Sequence, residues 1–326
     1  MTAPSAASGP APTLAGGRYA LGVDGGGTKT EAWISCRQAQ GEPEVIGRGA
    51  AGASNPRAVG LEAALANLAA AIDAAWLDAG VAARTVAAAV LAISGAGHET
   101  MRDKIAAWAR DGAIADKVAI VHDADPLLAA GTPEGWGVAL IVGTGSAAIA
   151  ADPQGERRVV GGWGYWYGDE GSAYWIGRRA LEAIARAADG RAEPTALAAA
   201  FAKRLKADDP RAFLGLLEQT GNVRGAIAGL ADAVAAVAYA GDATASAIVD
   251  QAANELGAMV ASAAAGLKLG GEFPLAIAGG VACGSQLLRQ KLLKALQVRL
   301  IHPRPVELVP HPAAGCVRLA WELLKM

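Results

Sequence analysis

The 326-residue sequence points to an α/β protein of two lobes, each built on a βββαβαβα unit, with a cleft between them. Three observations carry that expectation. Short apolar runs alternate with longer stretches of helical periodicity. A glycine-rich turn between two consecutive strands occurs twice, as Asp24-Gly25-Gly26-Gly27-Thr28-Lys29 and as Gly143-Thr144-Gly145-Ser146. The order of strands and helices after each turn is the same, which marks an internal duplication.

The elements follow in order. Residues 1–17 are rich in Ala, Pro, Ser and Gly, with no positive n-region or apolar h-region, and read as a disordered tail. Strands are expected at Tyr19–Asp24, Thr30–Ser35 and Val45–Arg48. Leu61, Leu65, Leu68, Ile72 and Trp76 recur at helical spacing, and Gly80 stops that helix. Val86–Ile93 is a buried strand ending in Ser94-Gly95-Ala96-Gly97, a helix follows near Met101–Ala109, and Val118–Val121 is a short apolar strand running into His122-Asp123. The pattern then restarts with strands at Val138–Val142, Ala147–Ala151 and Arg157–Val160. A long helical stretch is expected from Ser172 to Leu269, then a strand at Leu275–Ala278, a helix carrying Leu287, Leu288, Leu292 and Leu296, a strand at Val306–Val309 and a last helix at Ala313–Leu324. The lobes are placed at 18–125 and 126–326, the second with the helical insertion and the last helix able to pack back on the first.

Composition narrows the chemistry. Hydrophobic residues make up 53% and charged residues 18%, and the net charge is −2 with no basic run. Nucleic acid and anionic membrane surfaces are therefore not expected partners, and an anionic ligand must be held by backbone amides, a metal or a few local cations. Cys36, Cys283 and Cys316 are far apart, with no CxxC or Cys/His cluster, which suits a reducing cytoplasm. No apolar run reaches the roughly 18 residues that span a bilayer.

The turns carry the candidate site. Gly25, Gly26 and Gly27 after a buried strand allow a sharp turn and close approach to a ligand. Backbone amides there, with the Thr28 hydroxyl and Lys29, suit phosphate oxygens. Asp24 at the strand end suits a Mg²⁺ ion held through water. The motif is neither a Walker A loop nor a dinucleotide fingerprint, since GxxxxGK[ST] is absent and a strand follows instead of a helix. A plain β-hairpin is the alternative for one turn alone; Gly143, Thr144 and Gly145 in the equivalent place make a two-sided grip on the β- and γ-phosphates the better reading. Asp123, at a strand end, suits the base that accepts the proton of a hydroxyl acceptor. Asp125 competes for that role, and either also reads as a helix N-cap ahead of Pro126. The stretch Gly161-Gly162-Trp163-Gly164-Tyr165-Trp166-Tyr167-Gly168-Asp169-Glu170-Gly171-Ser172 gathers aromatic faces and carboxylates suited to a sugar. Ala278-Gly279-Gly280-Val281 lets an adenosine lie against backbone. The four histidines are scattered without HExxH, and Ser94 lies in SGAG, not GxSxG, so hydrolase chemistry finds no support.

Taken together these motifs resemble the N-acetylglucosamine kinase branch of the BadF/BadG-type ATPases, within the actin/Hsp70/sugar-kinase superfamily. The run Gly161–Gly177 is the most specific match; DGGGTKT, SGAG, His122-Asp123-Ala124, GTGS and AGGVA fall in the family's order across residues 18–326. The resemblance implies two actin-like (ribonuclease H-like) lobes that close on the sugar. It implies an ATP- and Mg²⁺-dependent kinase for the 6-hydroxyl of N-acetylglucosamine, acting in the cytoplasm as a homodimer. It makes Asp123 the base and a sugar contact, with Asn55, Ser146, Ala147, Gly162, Trp163 and Asp169 as further sugar-site residues. Thr28 and Thr144 become phosphate contacts, and Ala228, Gly279 and Gly280 nucleotide contacts. Animal N-acetylglucosamine kinases carry Asn after GTGS where this chain has Ala147, which removes a possible hydrogen bond near the sugar and leaves glucosamine and N-acetylmuramate open as acceptors. Two readings of other classes stand beside this one: a BadF-type activase ATPase, which needs closely placed cysteines for an iron–sulfur cluster, and a non-catalytic sugar sensor.

Overall fold

Residues 17–38, 41–82 and 84–326 are described by the computed structural model of the chain; the expected tail, but for Gly17, lies outside them. The chain divides into two compact units, residues up to Ala129 together with His311–Met326, and Ala130–Pro310.

The first unit holds β1 (Arg18–Gly25), β2 (Thr30–Arg37), β3 (Glu44–Ala51), α1 (Pro56–Val59), α2 (Leu61–Ala79), β4 (Val86–Ile93), α3 (Glu99–Asp111), β5 (Ala115–Val121) and the start of α4 (Asp125–Gly131). Its sheet runs β3-β2-β1-β4-β5, with β1, β2 and β3 antiparallel and β1, β4 and β5 parallel. The continuous apolar runs of β1 and β4 arise because both sheet faces are covered, so alternate side chains enter different cores. Leu21, Val23, Ala89, Leu91 and Ile93 pack with Leu68, Ile72 and Trp76 of α2 and Ile105 of α3. Ala20, Ala88, Val90 and Ala92 point the other way, onto Cys316, Val317, Ala320 and Trp321. Those four belong to the chain's last helix, Ala313–Leu323, which is thus part of the first unit. It is pinned there by Trp321 Nε1 donating to Ser35 Oγ at 3.2 Å and Cys316 Sγ donating to the Val23 carbonyl at 3.2 Å. Gly80 ends α2 in the left-handed conformation, at φ 64°.

The second unit repeats the plan. It contains β6 (Gly137–Val142), β7 (Ser146–Ala151), β8 (Arg157–Gly161), β9 (Leu275–Ala278) and β10 (Val306–Val309), ordered β10-β9-β6-β7-β8. The first strand of the unit is again central, antiparallel to the second and parallel to the fourth. The duplicated topology expected from the two turns is present strand for strand.

The stretch expected as one long helical run is instead broken into α5 (Ala173–Ala188), α6 (Leu197–Leu205), a 3₁₀ turn (Pro210–Ala212), α7 (Phe213–Glu218), α8 (Val223–Ala228), α9 (Ala231–Tyr239) and α10 (Ala243–Gly266). The breaks are chemical. Asp209, Asn222 and Asp242 each accept a backbone N–H at a new N-terminus, from Arg211, Gly225 and Ala245. Asp242 also accepts from Ala196 N at 2.8 Å and Thr195 Oγ1 at 3.0 Å, tying two helix starts to one carboxylate. α11 (Gly280–Gly284) and α12 (Gln286–Val298) follow β9, and the last helix is α13. Val138, Leu140, Leu275 and Ile277 share their core with α5, α10 and α12. Among the described residues, no single helix is long and apolar enough to cross a membrane.

Candidate active site

In the first unit the register aligns three strand ends. Asp24 pairs with Ala92, and Ala92 with Val121, so β1, β4 and β5 finish along one edge. In open α/β sheets the carboxyl ends of parallel strands are where ligands bind. Asp24, Ser94 and Asp123 therefore leave the sheet side by side. The turn after β1 is closed by Gly26 N donating to Lys29 O at 2.9 Å, while Gly27, Thr28 and Lys29 are exposed. The Gly26 carbonyl accepts from Ser54 N at 3.0 Å and Asn55 N at 3.2 Å, and the Gly25 carbonyl from Ser94 N at 2.8 Å. Below them, Thr30 Oγ1 reaches Ser54 Oγ at 2.8 Å and Gly52 O at 2.7 Å in a buried polar knot. Asn55 caps α1 through its Oδ1, which accepts from Arg57 N at 2.9 Å, and its Nδ2 lies 3.5 Å from Ser94 Oγ. The turn, Asn55 and the end of β4 thus form one hydrogen-bonded assembly.

Charge accumulates at this edge. Burial first, then the neighbouring charges of Glu31 and Asp123, push the Asp24 carboxyl up to about 7, partly offset by Lys29. Lys29 Nζ sits 2.7 Å from Glu31 Oε1, and His311 Nδ1 3.3 Å from Glu31 Oε2. Of the two candidate bases, Asp125 is used structurally: its Oδ2 accepts from His122 N at 3.1 Å, and its own N donates to His122 O at 3.0 Å. Asp123 is about one-third exposed, with Oδ1 2.8 Å from His122 Nδ1.

In the second unit the equivalent turn is stitched to the aromatic loop. Gly143 N donates to Gly145 O at 2.9 Å, Gly143 O accepts from Ala173 N at 2.9 Å, and Ser146 O accepts from Gly162 N at 2.9 Å. Ser146 Oγ donates to Glu170 O at 2.7 Å, and Ser146 N to Asp169 Oδ1 at 3.2 Å. Asp169 is buried at φ 59°, a left-handed conformation uncommon outside Gly, and its Oδ2 accepts from Arg224 Nη2 at 2.9 Å. Its carboxylate comes so near the turn that a Cβ on Gly145 would lie 2.7 Å from Oδ1 and 2.9 Å from Oδ2, so a side chain there must displace the carboxylate. Trp163, Trp166 and Tyr167 are exposed, and Tyr165 is stacked on Trp166 and edge-on to Tyr174. Ala147 lies beside Gly162 at the foot of this loop.

The AGGVA segment completes the second unit. Gly279, at φ 93°, turns from β9 into α11 so close to the Val142 carbonyl that a side chain would collide. Gly280 lines a cavity of about 700 Å³ with Ala228, Gly229, Arg204, Asp232 and Tyr239. The expected nucleotide residues Ala228 and Gly280 thus share one pocket, with the phosphate-type turn packed against Gly279. Arg204, Asp232, Arg224 and Ser94 escaped the sequence reading as site residues. Only Ser94, in a glycine-rich strand end, carried a signal. Arg224 meets Asp169 from 55 positions away.

Residues 21–313 match the BadF/BadG/BcrA/BcrD ATPase family. The chain belongs to that family. This BadF-family chain is 28% identical, over 93% of its length and 98% of the other, to the N-acetylmuramic acid/N-acetylglucosamine kinase of Clostridium acetobutylicum. A Chromobacterium violaceum crystal structure described as that of a candidate N-acetylglucosamine kinase superposes with a TM-score of 0.70 at 26% identity, covering 93% of this chain and 99% of that one. A ROK-family glucokinase from Streptomyces griseus, crystallised with glucose and AMPPNP, shares the fold at 19% identity and a TM-score of 0.55, over 93% and 98% of the two chains. The BadF-family chain is an ATP-dependent phosphotransferase of the sugar-kinase type.

Proposed function

We propose that the protein transfers the γ-phosphoryl group of ATP to the 6-hydroxyl of N-acetylglucosamine, with Mg²⁺, in the cytoplasm and as a homodimer. The observation that carries the reading is the strand-end edge of the first unit, where Asp24, the Gly26–Lys29 turn, Asn55 and Asp123 lie together. The second unit's equivalent turn and cavity support the nucleotide half of it. The kinase relatives support an amino-sugar acceptor.

Each residue has a task in this reading. The amides and hydroxyls of exposed Thr28 and half-buried Thr144 receive phosphate oxygens, and the cavity beside Ala228 and Gly280 takes the adenosine. Asp24 would hold Mg²⁺ through water, and its surroundings fit a cation: a carboxylate raised to about 7 by burial first, and then by Glu31 and Asp123, gains from a positive charge. A cation held at Asp24 would supply neutralisation of the charge on the phosphoryl group being transferred. His122 occupies Asp123 Oδ1 and leaves Oδ2 to receive the acceptor proton. The sugar oxygen then forms its bond to the γ-phosphorus as the bond to the β-phosphate oxygen breaks, releasing ADP. Asn55, Gly162, Trp163 and Asp169 aim the sugar; Ala147 gives it no polar contact. N-acetylmuramate is a second acceptor worth including, because the Clostridium relative is named for both sugars.

The test is ADP release with N-acetylglucosamine, glucosamine, N-acetylmannosamine, N-acetylmuramate and glucose, with 6-deoxy-N-acetylglucosamine as control. Turnover with N-acetylglucosamine and none with the 6-deoxy sugar is expected. Turnover with the 6-deoxy sugar would move the reaction to another hydroxyl, and silence with every amino sugar would end the kinase reading.

A further inference from the structure

We infer that Arg224 is a positioning residue for the acceptor, acting through Asp169; the inference rests on the amino-sugar kinase reading of the aromatic loop. Asp169 stands at the junction of two segments with different tasks. One oxygen accepts from Ser146 N, at the end of the phosphate-type turn, and the other accepts from Arg224. Together with Ser146 Oγ to Glu170 O and Gly162 N to Ser146 O, this makes the turn and the aromatic loop a single hydrogen-bonded body. The carboxylate is buried and its backbone sits at φ 59°, so its placement is sustained by its partners and not by the intrinsic preference of the chain. Arg224 provides the charge-assisted hydrogen bond that holds it in place.

Arg224 does a second thing. Its guanidinium lies 5.1 Å from the Tyr165 ring centroid, and Tyr165 is stacked on Trp166 at 5.2 Å. One cation thus fixes both the carboxylate and the aromatic face of the loop. It does so with its Nε buried and unpartnered among the described residues. The residue comes from α8, whose last residue, Ala228, lines the nucleotide cavity four positions on, so the acceptor loop is braced from the same short helix that borders the nucleotide pocket.

The test is Arg224→Ala and Arg224→Gln, read as kcat and KM for each substrate, as the unfolding midpoint, and as rescue by guanidinium chloride at sub-denaturing concentration. The expected result is a drop of roughly 10²-fold in kcat/KM for the sugar, with the KM for ATP near wild type and a lower unfolding midpoint, because the buried Asp169 carboxylate loses its partner. Added guanidinium restores part of the loss in Arg224→Ala, because the empty site can bind the missing group. Unchanged sugar kinetics in either variant would overturn the inference. A loss that falls equally on ATP and resists rescue would also overturn it, by making Arg224 structural only. If Arg224→Ala fails to fold, Arg224→Gln, which keeps a donor and most of the volume, decides by the same split between sugar and ATP. Wild-type turnover separates the two levels: its absence with every amino sugar sinks the kinase reading and this inference with it, whereas active wild type with unaffected variants sinks only the role of Arg224.

Discussion

Replacing Asp24 by Asn should make the ligand-free protein more stable in alkali while removing its activity. In the unfolded chain an Asp titrates near 3.8; in place, Asp24 titrates up to about 7. The native state therefore keeps a proton that the unfolded state has already lost, and this group's contribution to stability declines as pH rises from about 4 through 7. At about 1.4 kcal/mol per tenfold change in proton affinity, the difference amounts to about 4 kcal/mol at most, and solvent access brings it to about 2–4 kcal/mol. Asn cannot ionise and escapes the cost. Calorimetry without nucleotide or metal, from pH 4 to pH 9, should show the two proteins converging near pH 4. The variant should melt roughly 3–6 °C higher at pH 8.5. Mg²⁺ with ATP should raise the wild-type midpoint at pH 8.5 more than the variant's, and turnover should be lost in the variant. Parallel stability curves across the pH range, or a wild type more stable than the variant at pH 8.5, would refute both the assigned burial cost and the cation site built on it.

Asp123→Asn should leave sugar binding nearly intact and lower turnover by roughly 10² or more; a normal kcat in the ADP-release assay would remove Asp123 from the base role. Trp163→Ala should raise the KM for the sugar with that for ATP unchanged, since the ring is exposed in the aromatic loop proposed to meet the sugar; a rise in the ATP KM alone contradicts the assignment. Gly145→Ala should cost about 1–3 kcal/mol and raise the sugar KM, because its Cβ would sit 2.7 Å from the Asp169 carboxylate; an unchanged midpoint and KM would show that the loop yields freely.

Which parts of this were legible in the sequence follows from the range of the forces involved. Val86–Ile93 was readable to the residue because a strand covered on both faces must be apolar throughout, and that is a local property. The two turns were readable because each sets glycines directly after a buried strand, and at Gly25 and Gly145 a Cβ would crowd Ser54 and Asp169. The breaks in the helical insertion were not: Ala-rich segments satisfy helical periodicity in any register, and the deciding groups are polar caps such as Asp242, whose carboxylate serves residues 46 and 47 positions away as well as its own helix. β5 begins three residues before its apolar run because Ala115–Lys117 pair with β4 through the backbone, irrespective of side chain. At the site, the alignment of Asp24, Ser94 and Asp123 follows from strand order, which the duplication implies. That Asp125 ties down its loop, and that Asp169 is clamped by Arg224, depends on tertiary contacts with no trace in spacing.

The return of α13 to the first sheet imposes an order on synthesis. The face formed by Ala20, Ala88, Val90 and Ala92 is translated early, yet its cover of Cys316, Val317, Ala320 and Trp321 leaves the ribosome only after the whole second unit has been made. Until then that sheet presents a bare oily face to its surroundings, a transient hazard of the kind that chaperones attend to. The second unit, whose residues are contiguous, can mature while the first still waits for its final helix.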